Sequence, residues 1–364
     1  MSKLVGQKVI VGISGGVDSS VSALLLQQQG YQVEGLFMFN WAEDEAGYCE
    51  AAEDFQQARA VAEELGIPLH QADFSAEYRE RVFNEFLEEY AAGRTPNPDL
   101  LCNREIKFKS FLDYAVRLGA DCIATGHYAR LRHKQTETQL LRAVDENKDQ
   151  TYFLALVDGE AFKQCLFPLG ELQKPEVRDI AAKAGLPNYA RKDSTGICFI
   201  GERPMREFLG QYLQSQPGPI RSLDHDGREV GHHEGLIFHT LGQRKGLGLG
   251  GIQDAEDAPW YVIAKIQDDN CLWVSQNPEH PKLMSKQIQL RNPHWVNAEP
   301  LVPGRYQARI RHRQPLQDCQ LKLHNGQYHL EFDTPQRAAA PGQYAVIYDA
   351  DVCLGGACID QSID

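Results

Sequence analysis

Short apolar runs alternate with amphipathic segments over the first 130 residues of the chain. The apolar runs predict buried strands at Lys8–Ser14, Gln32–Phe39, Leu69–Phe74 and Asp121–Thr125. Between them, apolar positions three and four residues apart predict helices at Asp18–Gln29, Glu50–Leu65, Ala76–Ala92 and Phe108–Leu118. Strands joined by helical crossovers of this length indicate a doubly wound α/β fold, a parallel sheet with helices on both faces.

The pattern changes near Ile200. Glycine and proline become dense, and short β-rich runs follow at Trp260–Ile266 and Cys271–Ser275. After Pro281, short alternating strands separated by turn residues such as Asn325-Gly326 predict a small β-barrel. We therefore expect three domains: an α/β catalytic domain over 1–203, a small mixed central domain over 204–281 and a C-terminal β-barrel over 282–364.

Composition fits a folded globular protein. The chain has 364 residues, of which 42% are hydrophobic, so wholesale disorder is excluded. No apolar run approaches the roughly 18 residues that span a bilayer, and the N-terminus lacks the pattern of a signal peptide. The nine cysteines are scattered without a C-x-x-C pair, which fits a reducing compartment and disfavours a structural zinc site. We expect a soluble cytoplasmic protein without a bound structural metal.

Charge is distributed unevenly along the chain. The formal net charge is −13, and the last 80 residues carry eight basic and eight acidic side chains, so the first 284 carry the whole excess. Net acidity normally disfavours a polyanionic partner. Because the C-terminal segment is neutral, bulk charge leaves the question of nucleic acid open.

The segment GISGGVDSS, residues 12–20, follows the first strand and opens the first helix; we call it the phosphate loop. Its glycines permit a tight turn whose backbone N–H groups face one cavity, and the helix N-terminus adds positive potential. Ser14, Ser19 and Ser20 add hydroxyl donors, and Asp18 can cap the helix or hold a metal ion. The segment has neither the lysine of the Walker A motif nor the G-x-G-x-x-G pattern of dinucleotide sites.

Two cysteines lie in polar surroundings. Cys102, in TPNPDLLCNREIKF, precedes a predicted helix start with Arg104 and Lys107 nearby, and both features favour a thiolate. Asp99 is placed to move protons. Cys198 lies in a glycine-flanked loop preceded by two basic residues. Considered alone, each of the two is as readily structural as reactive, whereas the other seven favour structural roles.

The phosphate loop resembles that of the N-type ATP pyrophosphatases. These enzymes cleave ATP between the α- and β-phosphates and adenylate a carbonyl oxygen. The resemblance implies that ATP, accompanied by Mg²⁺, is bound by Gly12, Ile13, Ser14, Gly15, Gly16, Val17, Asp18, Ser19, Met38 and Gly126.

A more specific resemblance covers nearly the whole chain. The combination of GISGGVDSS, TPNPDLLCNREIKF, ATGHYA, KDQTYFL and STGICFIGER is similar to the bacterial tRNA-specific 2-thiouridylase family. His312 stands where that family more often has an aromatic residue. The resemblance implies ATP-dependent 2-thiolation of the wobble uridine, position 34, with AMP and pyrophosphate as products.

The same resemblance assigns roles to the two cysteines. It implies that Cys198 carries a persulfide delivered by a sulfur-relay or cysteine desulfurase protein, and that Cys102 and Cys198 form a transient disulfide. It implies Asp99 as general acid and base, and contacts from Asn97, Pro98 and Asp99 to the target base. Whether sulfur attacks as a persulfide or as hydrosulfide stays open.

The expected RNA partners are the tRNAs for Lys, Glu and Gln. The resemblance implies tRNA contacts at His127, Lys148, Asp149, Gln150, Arg311, His312 and Gln343. Independently, Arg305, Arg309, Arg311 and Arg313 are all odd-numbered, which places them on one face if the strand continues. A merely solvated strand face is the alternative for this strip.

Three other interpretations remain at this point. The chain could be another pyrophosphate-loop ligase, which would not need paired cysteines, or an RNA-binding protein whose affinity ATP regulates. A thiol oxidoreductase is the weakest of the three, because it would not need the phosphate loop. Leu241–Gly251 is either an RNA contact or a plain turn. His232-His233-Glu234 resembles a metal cluster only superficially, since adjacent strand residues point to opposite sides.

Overall fold

The computed structural model describes residues 6–41, 50–193, 205–250 and 256–363. Its strands are β1 Lys8–Gly12, β2 Gln32–Phe39, β3 Leu69–Asp73, β4 Cys122–Ala124, β5 Ala129–His133, β6 Thr138–Arg142, β7 Cys165–Leu166, β8 Gly218–Ser222, β9 Glu229–His233, β10 Tyr261–Ile266, β11 Cys271–Ser275, β12 Met284–Trp295, β13 Gly304–Arg309, β14 Gln317–His324, β15 Gln327–Arg337, β16 Tyr344–Asp349 and β17 Val352–Ile363. Its α-helices are α1 Val17–Gln28, α2 Glu50–Leu65, α3 Ser75–Tyr78, α4 Asn84–Ala91, α5 Pro98–Cys102, α6 Phe111–Arg117, α7 Thr151–Leu154, α8 Gly159–Phe162, α9 Lys174–Lys183 and α10 Met205–Gly210.

The N-terminal domain is built on a five-stranded sheet in the order β3-β2-β1-β4-β7. All four pairings are parallel, and β1 at the centre is buried along almost its whole length because helices cover both faces. The predicted doubly wound fold is confirmed. The first loop after β1 and the segment after β4 both lie at the carboxyl edge of the sheet, where ligands of such folds bind.

The helix that carries Cys102 begins earlier than predicted. The expected start at Phe108 is wrong: α5 begins at Pro98 and continues through a π-helical stretch, Asn103–Ser110, into α6. Asn97 caps this helix, since its side-chain oxygen accepts a hydrogen bond from the backbone N–H of Asp99 at 3.2 Å. Proline at the first helical position adds to the start signal.

The central domain contains a four-stranded sheet in the order β10-β11-β8-β9. Strands β11 and β8 run parallel, while the outer pairs are antiparallel. Its core is small and includes Ile220, Trp260, Val262, Leu272 and Val274. The prediction of a small mixed central domain is therefore confirmed, while its exact limits stay a prediction.

The C-terminal domain is a six-stranded antiparallel barrel in the order β12-β15-β14-β13-β16-β17, and pairing between β12 and β17 closes it. The predicted barrel is therefore confirmed. Asn325 and Gly326 join β14 to β15 with φ of 51° and 80°. Two positive φ values in succession fit a two-residue hairpin turn, for which Asn-Gly is the favoured sequence.

The N-terminal domain and the barrel share a sheet. The hairpin β5–β6 of the N-terminal domain pairs with β17, with Leu140 opposite Cys353 and Leu141 opposite Val352. The segment that follows the hairpin therefore runs along the seam between the two domains. Among the described residues, none of the helices has the length and apolar character needed to cross a membrane.

Candidate active site

The phosphate loop joins the end of β1 to the start of α1. Gly16 is the helix cap, and Gly15 has a φ of 78°, a backbone conformation that favours glycine. A Cβ on Gly15 would lie only 2.6 Å from the carbonyl oxygen of Asp54, so a side chain there would collide with α2. The glycines are thus required both for the turn and for close packing around it.

The serine hydroxyls of the loop differ in accessibility. Ser14 is exposed, whereas Ser19 and Ser20 are buried. The hydroxyls of Ser19 and Ser20 donate to the carbonyl oxygen of Gly16 at 3.0 and 2.9 Å. Both hydroxyls therefore stabilise the first turn of α1, and the ligand contacts expected from them stay a prediction.

Gly126 approaches the phosphate loop closely. A Cβ on Gly126 would lie 2.8 Å from the backbone carbon of Asp18 and 2.8 Å from the backbone nitrogen of Ser19. On the other side of the loop, the end of the Met38 side chain lies beside Gly12. The structure thus brings Gly12, Met38 and Gly126, all predicted to contact ATP, to one edge of the sheet.

The Asp18 carboxylate does not cap α1; it is bonded to two side chains from other parts of the chain. It accepts hydrogen bonds from Lys174 Nζ at 2.7 and 2.9 Å and from the Tyr128 hydroxyl at 2.9 Å. The cap expected from the sequence is wrong, because Gly16 holds that position. Lys174, which sequence reasoning missed, is the first residue of α9 and is largely buried beside the loop.

Lys174 connects the phosphate loop to Asp193. Its ammonium lies 2.8 Å from Asp193 Oδ1, and Asp193 also pairs with Lys148 at 2.6 Å and Arg178 at 2.9 Å. Burial alone would raise the pKa of Asp193, but hydrogen bonds from Lys148 and Lys174 lower it to about 2. Asp193 is thus held as an anion, and the stability that it contributes is present above about pH 4 and lost as the pH falls towards 2.

Two further residues brace the loop from the segment after α9. Asn188 Nδ2 donates to the carbonyl oxygen of Gly15 at 2.8 Å and to Ser20 Oγ at 2.9 Å. Arg191 donates to the same carbonyl at 3.1 Å and pairs with Asp54. Because the residues come from distant parts of the chain and match no short motif, nothing in the sequence marked them.

We expect Lys174→Met to lower the free energy of unfolding by about 1–2 kcal/mol, since the charge that joins two partly exposed carboxylates is lost. Urea unfolding measures this change. Lys183→Met, at an exposed position of the same helix, is the matched control and should have little effect. An equal loss in both variants would show that the bridge contributes nothing specific.

Cys102 is the fifth residue of the helix that Asn97 caps, and its side chain is fully buried. It is therefore within the helix and not before its start, as the sequence suggested. Arg104, one of the expected neighbouring charges, pairs with Glu105 at 2.8 Å. Asn103 fixes this part of the helix by donating to the carbonyl oxygen of Phe153 at 2.9 Å.

The second predicted cysteine, Cys198, lies outside the described residues, as does the rest of the STGICFIGER motif. The last described residue before the motif is Asp193, five positions upstream. Asp193 therefore marks the point at which the described chain leads into the motif. The disulfide predicted between Cys102 and Cys198 stays a prediction.

The residues predicted to contact tRNA lie mostly along the seam between the N-terminal domain and the barrel. Lys148 pairs with Asp193, and Gln150 accepts a hydrogen bond from the backbone N–H of Tyr128 at 2.9 Å. The carboxylate of Asp149 is buried and bonded to Thr151 and Arg309. In this arrangement the Asp149 side chain joins the two domains and is not accessible to RNA.

The other predicted tRNA contacts also make internal bonds. His312 Nε2 lies 2.9 Å from the carbonyl oxygen of Asp149, and Arg311 donates to the carbonyl oxygen of Ala338 at 3.0 Å. Gln343 Nε2 donates to the carbonyl oxygen of Thr95 at 2.8 Å, which ties the barrel to the loop before Asn97. His127 is buried, and burial together with Lys107 lowers its pKa well below the usual value, so it is neutral at pH 7.

The predicted four-arginine strip does not form. Strand β13 ends at Arg309, so Arg311 and Arg313 do not continue its face. Arg305 is exposed and pairs with Asp333, whereas the guanidinium of Arg309 is buried against Asp149 and Tyr348. Period-two geometry placed Arg305 and Arg309 on the same side correctly, but the N-terminal domain covers the end of that side.

The other candidate positions give no sign of a metal centre. His232 pairs with Glu229, His233 Nε2 lies 3.0 Å from the carbonyl oxygen of Asn270, and Glu234 pairs with Arg206. In the part of the chain that the structure describes, no group of three or more His, Cys, Asp or Glu residues is placed to hold a metal ion. Arg244 and Lys245 are exposed in the glycine-rich loop of the central domain.

Comparison with known families accounts for all three domains. Residues 7–202 match the tRNA methyl transferase HUP domain, residues 206–276 the tRNA methyl transferase PRC-barrel domain, and residues 285–359 the aminomethyltransferase beta-barrel domain. The chain is 57% identical over 356 residues to the tRNA-specific 2-thiouridylase MnmA of Pseudomonas aeruginosa strain LESB58, covering 97% of this chain and 94% of the relative. The chain belongs to the tRNA-specific 2-thiouridylase family.

A second relative agrees with this assignment. The 2-thiouridylase MnmA of Stutzerimonas stutzeri strain A1501 is 56% identical over 357 residues, with 98% of this chain and 95% of the relative covered. Among solved structures, the U34-tRNA thiolase NcsA of Methanococcus maripaludis matches at 18% identity and a TM-score of 0.35 over 57% of this chain and 65% of that one. The three family matches together run from residue 7 to residue 359 of this chain. The domain limits at 203 and 281 stay a prediction.

Proposed function

We propose that this 2-thiouridylase family member catalyses ATP-dependent 2-thiolation of the wobble uridine of the tRNAs for Lys, Glu and Gln, in the cytoplasm. The observation that carries the proposal is the bridge from Asp18 through Lys174 to Asp193. It ties the nucleotide loop to the segment that leads into Cys198. The bridge thus supports a shared site for nucleotide activation and sulfur transfer, because the chain leaves the phosphate loop region towards the predicted sulfur carrier.

The first step is activation of the uracil C2 oxygen. The backbone N–H groups at Ser14–Asp18 and the N-terminus of α1 would bind the phosphates of ATP. The oxygen attacks the α-phosphorus, pyrophosphate leaves, and the oxygen becomes part of AMP, a much better leaving group. Both oxygens of the Asp18 carboxylate already accept hydrogen bonds from Lys174. Mg²⁺ would therefore be held mainly by the phosphates of ATP, with which it enters, and would neutralise their charge.

The second step delivers sulfur. Cys198 would carry a persulfide received from a sulfur-relay or cysteine desulfurase protein, and its outer sulfur bonds to C2 as AMP leaves with the oxygen. The thiolate of Cys102 bonds to the sulfur of Cys198 while the bond to the outer sulfur breaks. The resulting disulfide must be reduced by a cellular dithiol before the next turn. Asp99 would move the protons, and Asn97, Pro98 and Asp99 would contact the base.

Incubation with tRNA, ATP, Mg²⁺ and a persulfide source tests the proposal. We expect a mass gain of about 16 Da at the wobble uridine, because one sulfur replaces one oxygen, and one AMP and one pyrophosphate per modified base. ATP binding without AMP formation would instead indicate an RNA-binding protein that ATP regulates. AMP formation with ammonia incorporated in place of sulfur would indicate another pyrophosphate-loop ligase.

A further inference from the structure

A cavity of about 280 Å³ lies between the N-terminal domain and the barrel, beside the loop that precedes Cys102. We call it the seam cavity; its lining includes Glu85, Asn97, Leu101, Arg104, Arg291 and Tyr344. Its volume is close to the lower end of the range of small-molecule sites, about 300–1,000 Å³. A single nucleobase is a ligand of suitable size.

The seam cavity and the side chain of Cys102 lie on different faces of the same helix. Asn97, Leu101 and Arg104 are spaced four and three residues apart, so they share a helix face that lines the cavity. Cys102 lies roughly 100° around the helix from Leu101. The cavity is therefore adjacent to the proposed sulfur-transfer site without being part of it, as expected for a site that binds a neighbouring part of the same substrate.

The polar groups of the seam cavity are not all paired with one another. Glu89 is neutralised by Arg94 and Arg291. For the carboxylate of Glu85, no hydrogen-bond or ion-pair partner is found within residues 6–41, 50–193, 205–250 and 256–363, although Arg104 and Arg291 lie near enough to act on it electrostatically. Arg104 donates to Glu105 through Nε, and for its two terminal nitrogens no partner is found among the residues that the structure describes.

This pattern is complementary to the edge of one base. A hydrogen-bond acceptor, Glu85, is accompanied by the donor groups of Arg104 and Arg291, and apolar surface from Leu101 and Tyr344 completes the lining. Uracil presents the matching edge, an N3–H donor between two carbonyl acceptors. Cytosine presents a lone pair at N3, which would face the carboxylate and repel it. The charges of Glu85, Glu89, Arg104 and Arg291 balance, so the cavity suits a neutral base and not a phosphate.

We propose that the seam cavity binds the uracil base of the nucleotide next to the target uridine, and that Glu85 selects it. The proposal rests on the proposed function, because it takes the anticodon loop as the ligand. It adds a second base-reading site to the one predicted at Asn97, Pro98 and Asp99. The three tRNAs expected as substrates all have uridine at the middle anticodon position, so the cavity would read a feature that they share.

Equilibrium binding of synthetic anticodon stem-loops to the full-length protein tests this proposal. The parent loop has uridine on both sides of the target, and two variants carry cytidine on the 5′ or the 3′ side. We expect the wild-type protein to bind one cytidine variant about tenfold more weakly than the parent, which also identifies the side. Equal affinity for all three loops would overturn the proposal.

Glu85→Ala should bind the parent loop about tenfold more weakly and bind the discriminated cytidine loop as well as the parent. Glu85→Gln keeps the size of the side chain and serves if the alanine variant does not fold. Glu88→Ala, at an exposed position of the same helix, is the matched control and should retain the wild-type preference. Retained discrimination by both Glu85 variants would also overturn the proposal.

The cavity proposal and the proposed function can fail separately, because binding is measured without chemistry. A wild-type protein that discriminates between the loops but does not thiolate would contradict the proposed function and leave the cavity assignment intact.

Discussion

Replacing Cys102 with serine is expected to abolish thiolation while leaving ATP cleavage in place. Serine is close in size, so the fully buried position at the end of α5 should be preserved. The hydroxyl cannot form the disulfide that releases sulfur from Cys198, and we expect the rate of 2-thiouridine formation to fall by about 10³-fold or more. Single-turnover assays that follow thiolated nucleoside and pyrophosphate separately measure the two steps.

Cys122→Ser is the matched control for this experiment. Cys122 lies on β4, and burial together with Asp121 raises the pKa of its thiol to about 11, so it is not a nucleophile at neutral pH. The control should thiolate at nearly the wild-type rate. If Cys102→Ser retained wild-type thiolation, the cysteine-pair mechanism would be wrong even though the family assignment stands. If it lost pyrophosphate release as well, Cys102 would act before sulfur transfer.

The phosphate loop could be predicted in detail because its chemistry is local. Glycines, the end of a strand and the start of a helix are contiguous in sequence, and the structure has β1 ending at Gly12 and α1 beginning at Val17. The residues that brace the loop could not be predicted in the same way. Lys174 reaches Asp18 across 156 positions, so only the folded chain brings their charges together.

The start of the Cys102 helix was missed for a local reason. The two prolines in TPNPD suggested a stiff loop, but Pro98 occupies the first helical position, where the missing N–H has no intrahelical partner to lose. Asn97 immediately before it is a favoured cap residue. Read together, Asn97 and Pro98 are a helix start signal, and that signal would have placed Cys102 inside the helix.

The arginine strip failed because sequence periodicity does not show what covers a surface. Alternation correctly places Arg305 and Arg309 on one side of β13. Only tertiary structure shows that Arg309 is covered by the segment containing Asp149, while Arg305 remains exposed. The same contact explains why Asp149, predicted as an RNA contact, is inaccessible.

Removing the Asp149 carboxylate is expected to have the largest effect on stability. Asp149→Ala would leave the buried guanidinium of Arg309 without its charged partner, and Thr151 Oγ1 would lose hydrogen bonds of 2.9 and 3.0 Å. Breaking a buried ion pair from one side costs about 3–5 kcal/mol. We expect a loss of that size in the free energy of unfolding, measured in urea.

The double variant Asp149→Leu with Arg309→Met separates the charge imbalance from the loss of contacts. Replacing both members of a buried pair by apolar residues of similar size is often neutral, so the double variant should recover most of the stability that Asp149→Ala loses. Asp158→Ala, at an exposed aspartate, should change the unfolding free energy by less than about 0.5 kcal/mol. A loss below about 1 kcal/mol for Asp149→Ala would mean that Arg309 reaches water once its partner is gone. Asp149 follows Lys148, which pairs with Asp193, and it binds Arg309 of the barrel. A full-sized loss would therefore show that this ion pair is a main source of stability at the contact between the barrel and the segment that leads to the phosphate loop.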